Sequence, residues 1–342
     1  MKLVMTLRAR DEADVVDSQI AFHLNAGVDF VIATDHRSGD GTTEILERYA
    51  GEGYLQLIRE EQDEMQEGDW ATRMSRLAAT DFAADWVIPS DADEFWWPRG
   101  GSLKEVLESV PARYGVVRAL LRQFVPRPDD GSFFAEHLTT RLSGSAPIND
   151  PNSLFRPNLK AIHRADPNVT LSAGAHTLLN TRLVPLRGWY PIEFLHFPIR
   201  SFQQCDRKYA NLRASLGESR NAYYQEVNRA RGQGRFEDFY NSLVVDDAAL
   251  ARGLEDGSLV TDTRLRDALR TLRGGGRLTF PRPTVVDEAA YAVDVAALGE
   301  ADVVRMQRQV DTLEQRLRAV EQRPAARLYS KARQAARRVL GG

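Results

Sequence analysis

The first hundred residues alternate short apolar runs with amphipathic stretches, and that alternation limits the possible folds more than any other feature of the chain. The runs are "KLVMTL", "VDFVIATD", "YLQLIR" and "DWVIPS". Each has the length and composition of a buried strand. Between the first two, Asp11 is placed to cap a helix, Val16, Ile20 and Leu24 share a face, and Gly27 stands where the helix should stop. After "GDGT" a second helix carries Ile45, Leu46 and Tyr49, and from Asp69 a third puts Trp70, Met74, Leu77 and Ala78 on one side. Strand and helix alternating at short spacing predict an α/β domain with a mostly parallel central sheet. Such sheets bind ligands at the carboxyl ends of their strands.

Polar residues gather at those ends. The first run ends in Arg8, Arg10, Asp11 and Glu12, the second in Asp35, His36, Ser38 and Asp40, and the fourth in Asp91 and Asp93. Residues two apart on an extended chain point the same way, so Asp91 and Asp93 are expected to face one cleft with Ala92 turned away. Two carboxylates so close require a cation, a basic neighbour or a shared proton. A hard divalent ion, Mn²⁺ or Mg²⁺, completed by substrate phosphates fits that ligand pair; a solvated acidic turn is the plain alternative for an Asp-x-Asp taken alone. Pro89 lacks a backbone donor, which predicts that regular strand pairing ends near it. Beyond the motif, Ser102 and Glu105 form a capping box, Leu103, Val106, Leu107 and Val110 a buried stripe, and Pro111 a stop.

The segments "MTLRARDEADVV", "FVIATDHRSGDGTTEIL", "WATRMSRLAA" and "DWVIPSDADEFWW" together resemble the nucleotide-sugar half of family-2-like glycosyltransferases with the GT-A fold, in the bacterial branch whose metal motif reads Asp-Ala-Asp-Glu-Phe. The resemblance covers about the first 100 residues well and the next 100 loosely. It implies Arg8, Glu12 and Asp35 near the base, with Asp40 in the same nucleotide-sugar site. It also implies Arg73 toward the diphosphate, Asp91 toward ribose or metal, and Asp93 on the metal. It further implies a later histidine on the metal, for which "SAGAHTL" offers His176, preferred as part of a Gly-x-His, and "EFLHFPIRSF" offers His196 as runner-up. Arg200 and Lys208 are placed to reach phosphates. His36 and Met74 depart from the commoner residues of the family and leave the base open between UDP and GDP types.

An inverting transfer needs a carboxylate base, and Asp150 and Glu193 are the two candidates, while Glu94 suits support of the metal ligands. Trp96 and Trp97 either stack on an acceptor sugar or close the core. Lys160 and Arg164 in "NLKAIHR" face an anionic acceptor or water. The acceptor expected for the class is a glycan or a lipid-linked sugar.

Composition excludes several alternatives. With 342 residues, 43% hydrophobic, 27% charged and a net charge of −3, nothing points to nucleic acid. One cysteine, Cys205, excludes an intramolecular disulfide and any multi-cysteine zinc site. No run approaches a signal core or the ~18 apolar residues of a membrane span, so a cytoplasmic protein is expected. The expected layout is a catalytic domain over 1–245, a helical extension and Gly/Pro-rich linker over 246–286, a helix over 287–322 and a basic tail over 323–342. Val303, Met306, Val310, Leu313, Leu317 and Val320 form a heptad seam suited to a short coiled coil and a homo-oligomer. The tail, with six basic residues and no acid, suits a peripheral contact with an anionic membrane at its inner face. Two other classes compete. A metal-dependent nucleotidyltransferase or phosphohydrolase wants a Gly-rich phosphate loop or a denser His/Asp set, and a non-catalytic coiled-coil protein leaves the strand-end acids unexplained.

Overall fold

The apolar runs become strands in a computed structural model that describes residues 1–62, 66–144, 159–179, 181–216 and 222–321. In chain order they are β1 (Leu3–Ala9), β2 (Phe30–Asp35), β3 (Leu55–Arg59), β4 (Trp86–Asp91), β5 (Glu94–Pro98), β6 (Val116–Gln123), β7 (Thr140–Leu142), β8 (Leu159–Arg164), β9 (Thr170–Leu171), β10 (Leu178–Leu179), β11 (Ile192–His196) and β12 (Leu259–Thr261). The helices are α1 (Val16–Asn25), α2 (Thr42–Gly51), α3 (Glu67–Thr80), α4 (Leu103–Glu108), α5 (Phe134–His137), α6 (Phe202–Leu216), α7 (Ala222–Gly232), α8 (Phe236–Leu243), α9 (Asp247–Glu255), α10 (Arg264–Arg273) and α11 (Val285–Glu321).

Eight strands form one sheet in the order β3-β2-β1-β4-β8-β6-β11-β5. Strands β3, β2, β1 and β4 pair in parallel, as do β6 and β11, whereas β8 and β5 pair antiparallel to their neighbours. The sheet is thus mostly parallel with two reversed strands. The central strands of this parallel half carry near-continuous apolar runs, as burial on both faces demands: Leu3, Val4, Met5, Leu7, Val31 and Ile32 are all fully buried. Only Ala92 and Asp93 separate β4 from β5, yet the ladder leaving β4 passes through β8, β6 and β11 before it reaches β5. This half of the sheet therefore curves around the acidic turn.

Pairing of β4 with β1 runs on past Pro89 to Asp91, further than the proline predicts. Its pairing with β8 stops at Val87, so the missing N–H is tolerated where one flank has no ladder left. The helix stripes form as expected, with Val16 and Ile20, Leu46 and Tyr49, and Trp70, Met74 and Ala78 buried. Ser102 and Glu105 make the reciprocal capping box. Asp11 does not cap α1, which starts at Val16 without a side-chain cap. It adopts φ 55°, and its carboxylate accepts instead from the Gly39 N–H and the Asn211 side-chain amide, stitching the loop after β1 to α6.

One compact unit spans Met1–Val295, beyond the boundary expected at residue 245. The reason is α10, an amphipathic helix whose Leu265, Ala268 and Leu269 enter the main core beside α1 and α5. A second unit spans Ala296–Gly342. In it the heptad residues Val303, Met306, Val310, Leu313, Leu317 and Val320 are exposed. The basic tail from residue 323 lies outside the described residues. No helix among the described residues is long and apolar enough to cross a membrane.

Candidate active site

Strand direction builds the site. The carboxyl ends of β1, β4, β6 and β11 and the amino ends of the reversed β5 and β8 meet at one rim, bringing Arg8, Asp91, Gln123, His196, Glu94 and Lys160 to a single cavity. Its volume is about 410 Å³, in the range of small-molecule sites. Helices α6 and α7 supply the opposite wall, with Lys208, Leu212 and the aromatic rings of Tyr209, Tyr223 and Tyr224.

Asp91 and Asp93 do face this one cavity, but each has its own cations. Asp91 Oδ1 accepts from Arg8, and Asp91 Oδ2 accepts from Lys160 Nζ at 2.7 Å. Burial works to raise the Asp91 carboxyl, yet the charges of Arg8 and Lys160 outweigh it and hold the group well below the usual carboxylate range. Asp93 Oδ2 accepts from Lys208 Nζ at 2.7 Å and lies 3.6 Å from His196 Nε2. There too the charge of Lys208 overcomes burial and holds the carboxyl far down. Lys160 also donates to Glu94 Oε2 at 2.6 Å, and the same oxygen accepts from the Asp91 N–H at 3.0 Å. Burial raises the Glu94 carboxyl despite that ammonium. Lys160, read in sequence as facing an acceptor or water, has only 2% of its side chain exposed. It is the buried counter-ion of the acidic turn, which two carboxylates require.

The later histidine is explained by register. His196 sits opposite Glu94 in the β11–β5 ladder and opposite Gln123 in the β11–β6 ladder, and Asp93 O accepts from the Phe197 N–H at 2.9 Å. The imidazole Nδ1 is 2.9 Å from Gln123 Oε1, so Nδ1–H donates there and Nε2 keeps its lone pair toward Asp93. An outer hydrogen bond that fixes the tautomer in this way is typical of metal-ligating histidines. Ligand atoms of Asp93, Glu94 and His196 all lie within 4.8 Å of one another. Two carboxylates and an imidazole suit Mn²⁺ or a similar divalent ion.

That group contains neither Asp91 nor His176, the other expected ligands. Asp91 has both oxygens on cations. His176 lines the cavity, but its Nδ1 faces Leu159 O at 3.0 Å. Its neighbour Gly174 has φ 68°, and a Cβ there would come within 2.7 Å of His176 Nε2, so the Gly-x-His pattern serves close packing.

The nucleotide-sugar candidates divide. Arg8 and Glu12 line the cavity. Glu12 pairs with Arg200, and burial pushes its carboxyl up to about 7 despite that charge. Asp35, Asp40 and Arg73 are not among the described residues that line it. Asp35 accepts from Ser38 and Thr43 hydroxyls, Asp40 from the N–H groups of Ala13 and Thr42, and Arg73 pairs with Glu60. Those short acids order the loops after β1 and β2. Arg200 likewise serves structure, holding Glu12, Asp14 and the Phe197 carbonyl with 1% of its side chain exposed.

Of the two expected bases, Glu193 is not among the described residues that line the cavity. Glu193 is buried under Arg99 at 3.1 Å, Arg122 at 2.7 Å and Arg264 at 2.6 Å. Burial would raise its carboxyl, but Arg122 and Arg264 hold it far below the usual range, which removes its basicity. Asp150 lies outside the described residues. Trp96 and Trp97 are core: Trp96 is fully buried with its Nε1–H on Ser90 Oγ at 2.9 Å, and Trp97 stacks on Phe22. Arg164 lies over the Trp86 ring and donates to the Tyr114 and Val110 carbonyls. Sequence reasoning missed Gln123 and the tyrosine wall. The first has no local signal, and the second shows only as Tyr209 in "RKYAN" and the pair in "NAYYQ".

No family model matches this chain, and no curated protein matches it. Among solved structures the chain is similar to TarS 1–349 of S. aureus in complex with UDP, at 12% identity over 80% of this chain and 92% of that one, with a TM-score of 0.35. The TarS 1–349 complex with UDP-GlcNAc is similar at 12% identity over 81% and 93%, with a TM-score of 0.36. Glucosyl-3-phosphoglycerate synthase from Mycobacterium tuberculosis, in complex with Mn²⁺, UDP and glucosyl-3-phosphoglycerate, is similar at 21% identity over 35% of this chain and 44% of that one, with a TM-score of 0.26. These likenesses are remote, and the architecture rests on the sheet order and register above.

Proposed function

We propose that the chain is a GT-A glycosyltransferase that moves a sugar from a nucleoside-diphosphate sugar of the UDP or GDP type to a glycan or lipid-linked acceptor, with inversion and with a divalent ion. The observation that carries this reading is the Asp93–Glu94–His196 group at the rim of a 410 Å³ cavity that also holds Arg8 and Lys208. Asp93, Glu94 and His196 would hold the ion, with Gln123 orienting the imidazole. When bound, the ion supplies Lewis-acid stabilisation of the charge that develops on the leaving diphosphate. Arg8 holds Asp91 in place and presents a guanidinium to the same cavity. Tyr209, Tyr223 and Tyr224 offer flat apolar surface for a base or sugar ring. Burial pushes the hydroxyls of Tyr209 and Tyr223 above their ordinary value, so they act as neutral hydrogen-bonding groups.

A thermal-shift panel of UDP, GDP and their sugars, with and without Mn²⁺, tests the reading. A ligand at 100 times its Kd adds about 2.7 kcal/mol to the folded state, a rise of several degrees. The expected result is a Mn²⁺-dependent rise for one nucleotide series that disappears in Asp93→Asn. Equal shifts without Mn²⁺ and in the variant would remove the metal from the account. Product analysis then separates sugar transfer from hydrolysis.

A further inference from the structure

Lys208 and the metal group contend for one oxygen. Asp93 Oδ2 is the atom that faces His196 Nε2, and it is also the atom that accepts from Lys208 Nζ at 2.7 Å. The two lysines of the acidic turn differ in their freedom. Lys160 is 2% exposed and is fixed between Asp91 and Glu94, which it bridges. Lys208 is 33% exposed, stands on α6 at the cavity wall, donates further to the Pro198 carbonyl at 3.3 Å and also feels the charge of Glu12. Its flexible four-carbon stem allows the ammonium to leave Asp93 without moving the backbone. A divalent ion offers twice the charge and a closer approach to the same carboxylate, so it is the stronger claimant once present.

We propose that Lys208 is an exchangeable internal cation: it neutralises Asp93 until a divalent ion takes that oxygen, and the displaced ammonium then serves as a ligand for the phosphates of the nucleotide. The inference rests on the metal reading above and adds a coupling to it. Metal binding would both complete the ligand group and release a positive charge into the cavity. Lys208 thus opposes the ion and favours the nucleotide that follows it. A purely structural lysine would have neither effect.

The test is calorimetric titration of Mn²⁺, then of UDP at saturating Mn²⁺, into the full chain as wild type, Lys208→Met, Lys208→Arg and Asp93→Asn, with circular dichroism and Tm confirming the fold. Removal of a competing, partly exposed ion pair should tighten Mn²⁺ binding in Lys208→Met by about 5-fold. Loss of a charge-assisted phosphate contact should weaken its UDP binding by roughly 10-fold. Lys208→Arg, which keeps the charge, should bind Mn²⁺ within about 2-fold of wild type. Mn²⁺ binding in Lys208→Met that equals or falls below wild type, with Asp93→Asn still abolishing it, would overturn the exchange and leave the metal site standing. Tighter Mn²⁺ with unchanged UDP affinity would overturn the phosphate role. Mn²⁺ binding by none of the chains would overturn the exchange and the metal site together.

Discussion

Strand β11 carries two buried ionic clusters, and they are built from different cations. At its end His196 joins Asp93 and Glu94, whose counter-ions are Lys208 and Lys160, and this cluster opens on the cavity. Three residues earlier Glu193 is gripped by Arg99, Arg122 and Arg264, and Arg122 reaches on to Asp294 in α11. Arg99 also rests on the ring of Tyr291, and Arg264 on Trp97. Guanidinium forks that are both hydrogen-bonded and stacked make a lock. A lysine ammonium on a flexible stem makes a contact that can be exchanged. Both clusters bury charge, and only the one with an exchangeable cation and an open face is suited to bind a ligand.

The largest expected effect comes from breaking the lock. Glu193→Ala strips the shared partner from three guanidinium groups, and leaving buried charge uncompensated costs about 3–5 kcal/mol. Urea unfolding should show that loss, while Mn²⁺ and UDP affinities of the folded fraction stay near wild type. A variant that keeps its stability and loses ligand binding would place Glu193 in the site and dissolve the contrast.

A smaller effect separates the charged clusters from a buried group kept neutral. His23 accepts from the Trp96 N–H at Nε2 (3.0 Å) and donates from Nδ1 to the Gln19 carbonyl (2.7 Å), so both nitrogens are occupied in the neutral ring. Burial pushes it down to about 3 from an ordinary value of 6.5. The sign follows. Above pH 6.5 neither state is protonated at His23, and its contribution is fully present. Below that value the unfolded chain takes up a proton that the fold refuses, and stability falls until about pH 3. The slope approaches about 1.4 kcal/mol per pH unit once the pH is well below 6.5. His163, held at about 4 by burial, adds the same trend over a narrower window. Glu12 acts the other way, since its folded carboxyl takes up a proton near pH 7 and the unfolded one only near 4.5. Comparing urea melts of wild type and His23→Gln at pH 7, 6 and 5 isolates the histidine. The variant should lose about 2 kcal/mol less than wild type between pH 7 and pH 5, most of it below pH 6, and parallel profiles would contradict the assignment.

Much of the scaffold was legible in the sequence because its signals are local. Apolar runs gave the strands, Ser102 with Glu105 gave a helix start, and the stripes on α1 to α3 gave the buried faces. The acidic turn was legible for the same reason, since Asp91 and Asp93 are two residues apart. Its partners were not. That His196 lies against Glu94 and Gln123 depends on the pairing of β11 with β5 and β6, and Lys160 reaches Asp91 from β8. Glu193 read as a free carboxylate because its three arginines come from residues 99, 122 and 264. The strand-end acids Asp35 and Asp40 read as ligand contacts, while their short side chains are spent on neighbouring N–H and hydroxyl groups.

Anomalous scattering at the manganese edge, from crystals grown with UDP and Mn²⁺, tests the site most directly. The account predicts a manganese peak at roughly 2.2 Å from ligand atoms of Asp93 and His196, with Lys208 Nζ withdrawn from Asp93 and turned to the diphosphate. UDP bound in the cavity with no manganese beside it, and Lys208 still on Asp93, would contradict it.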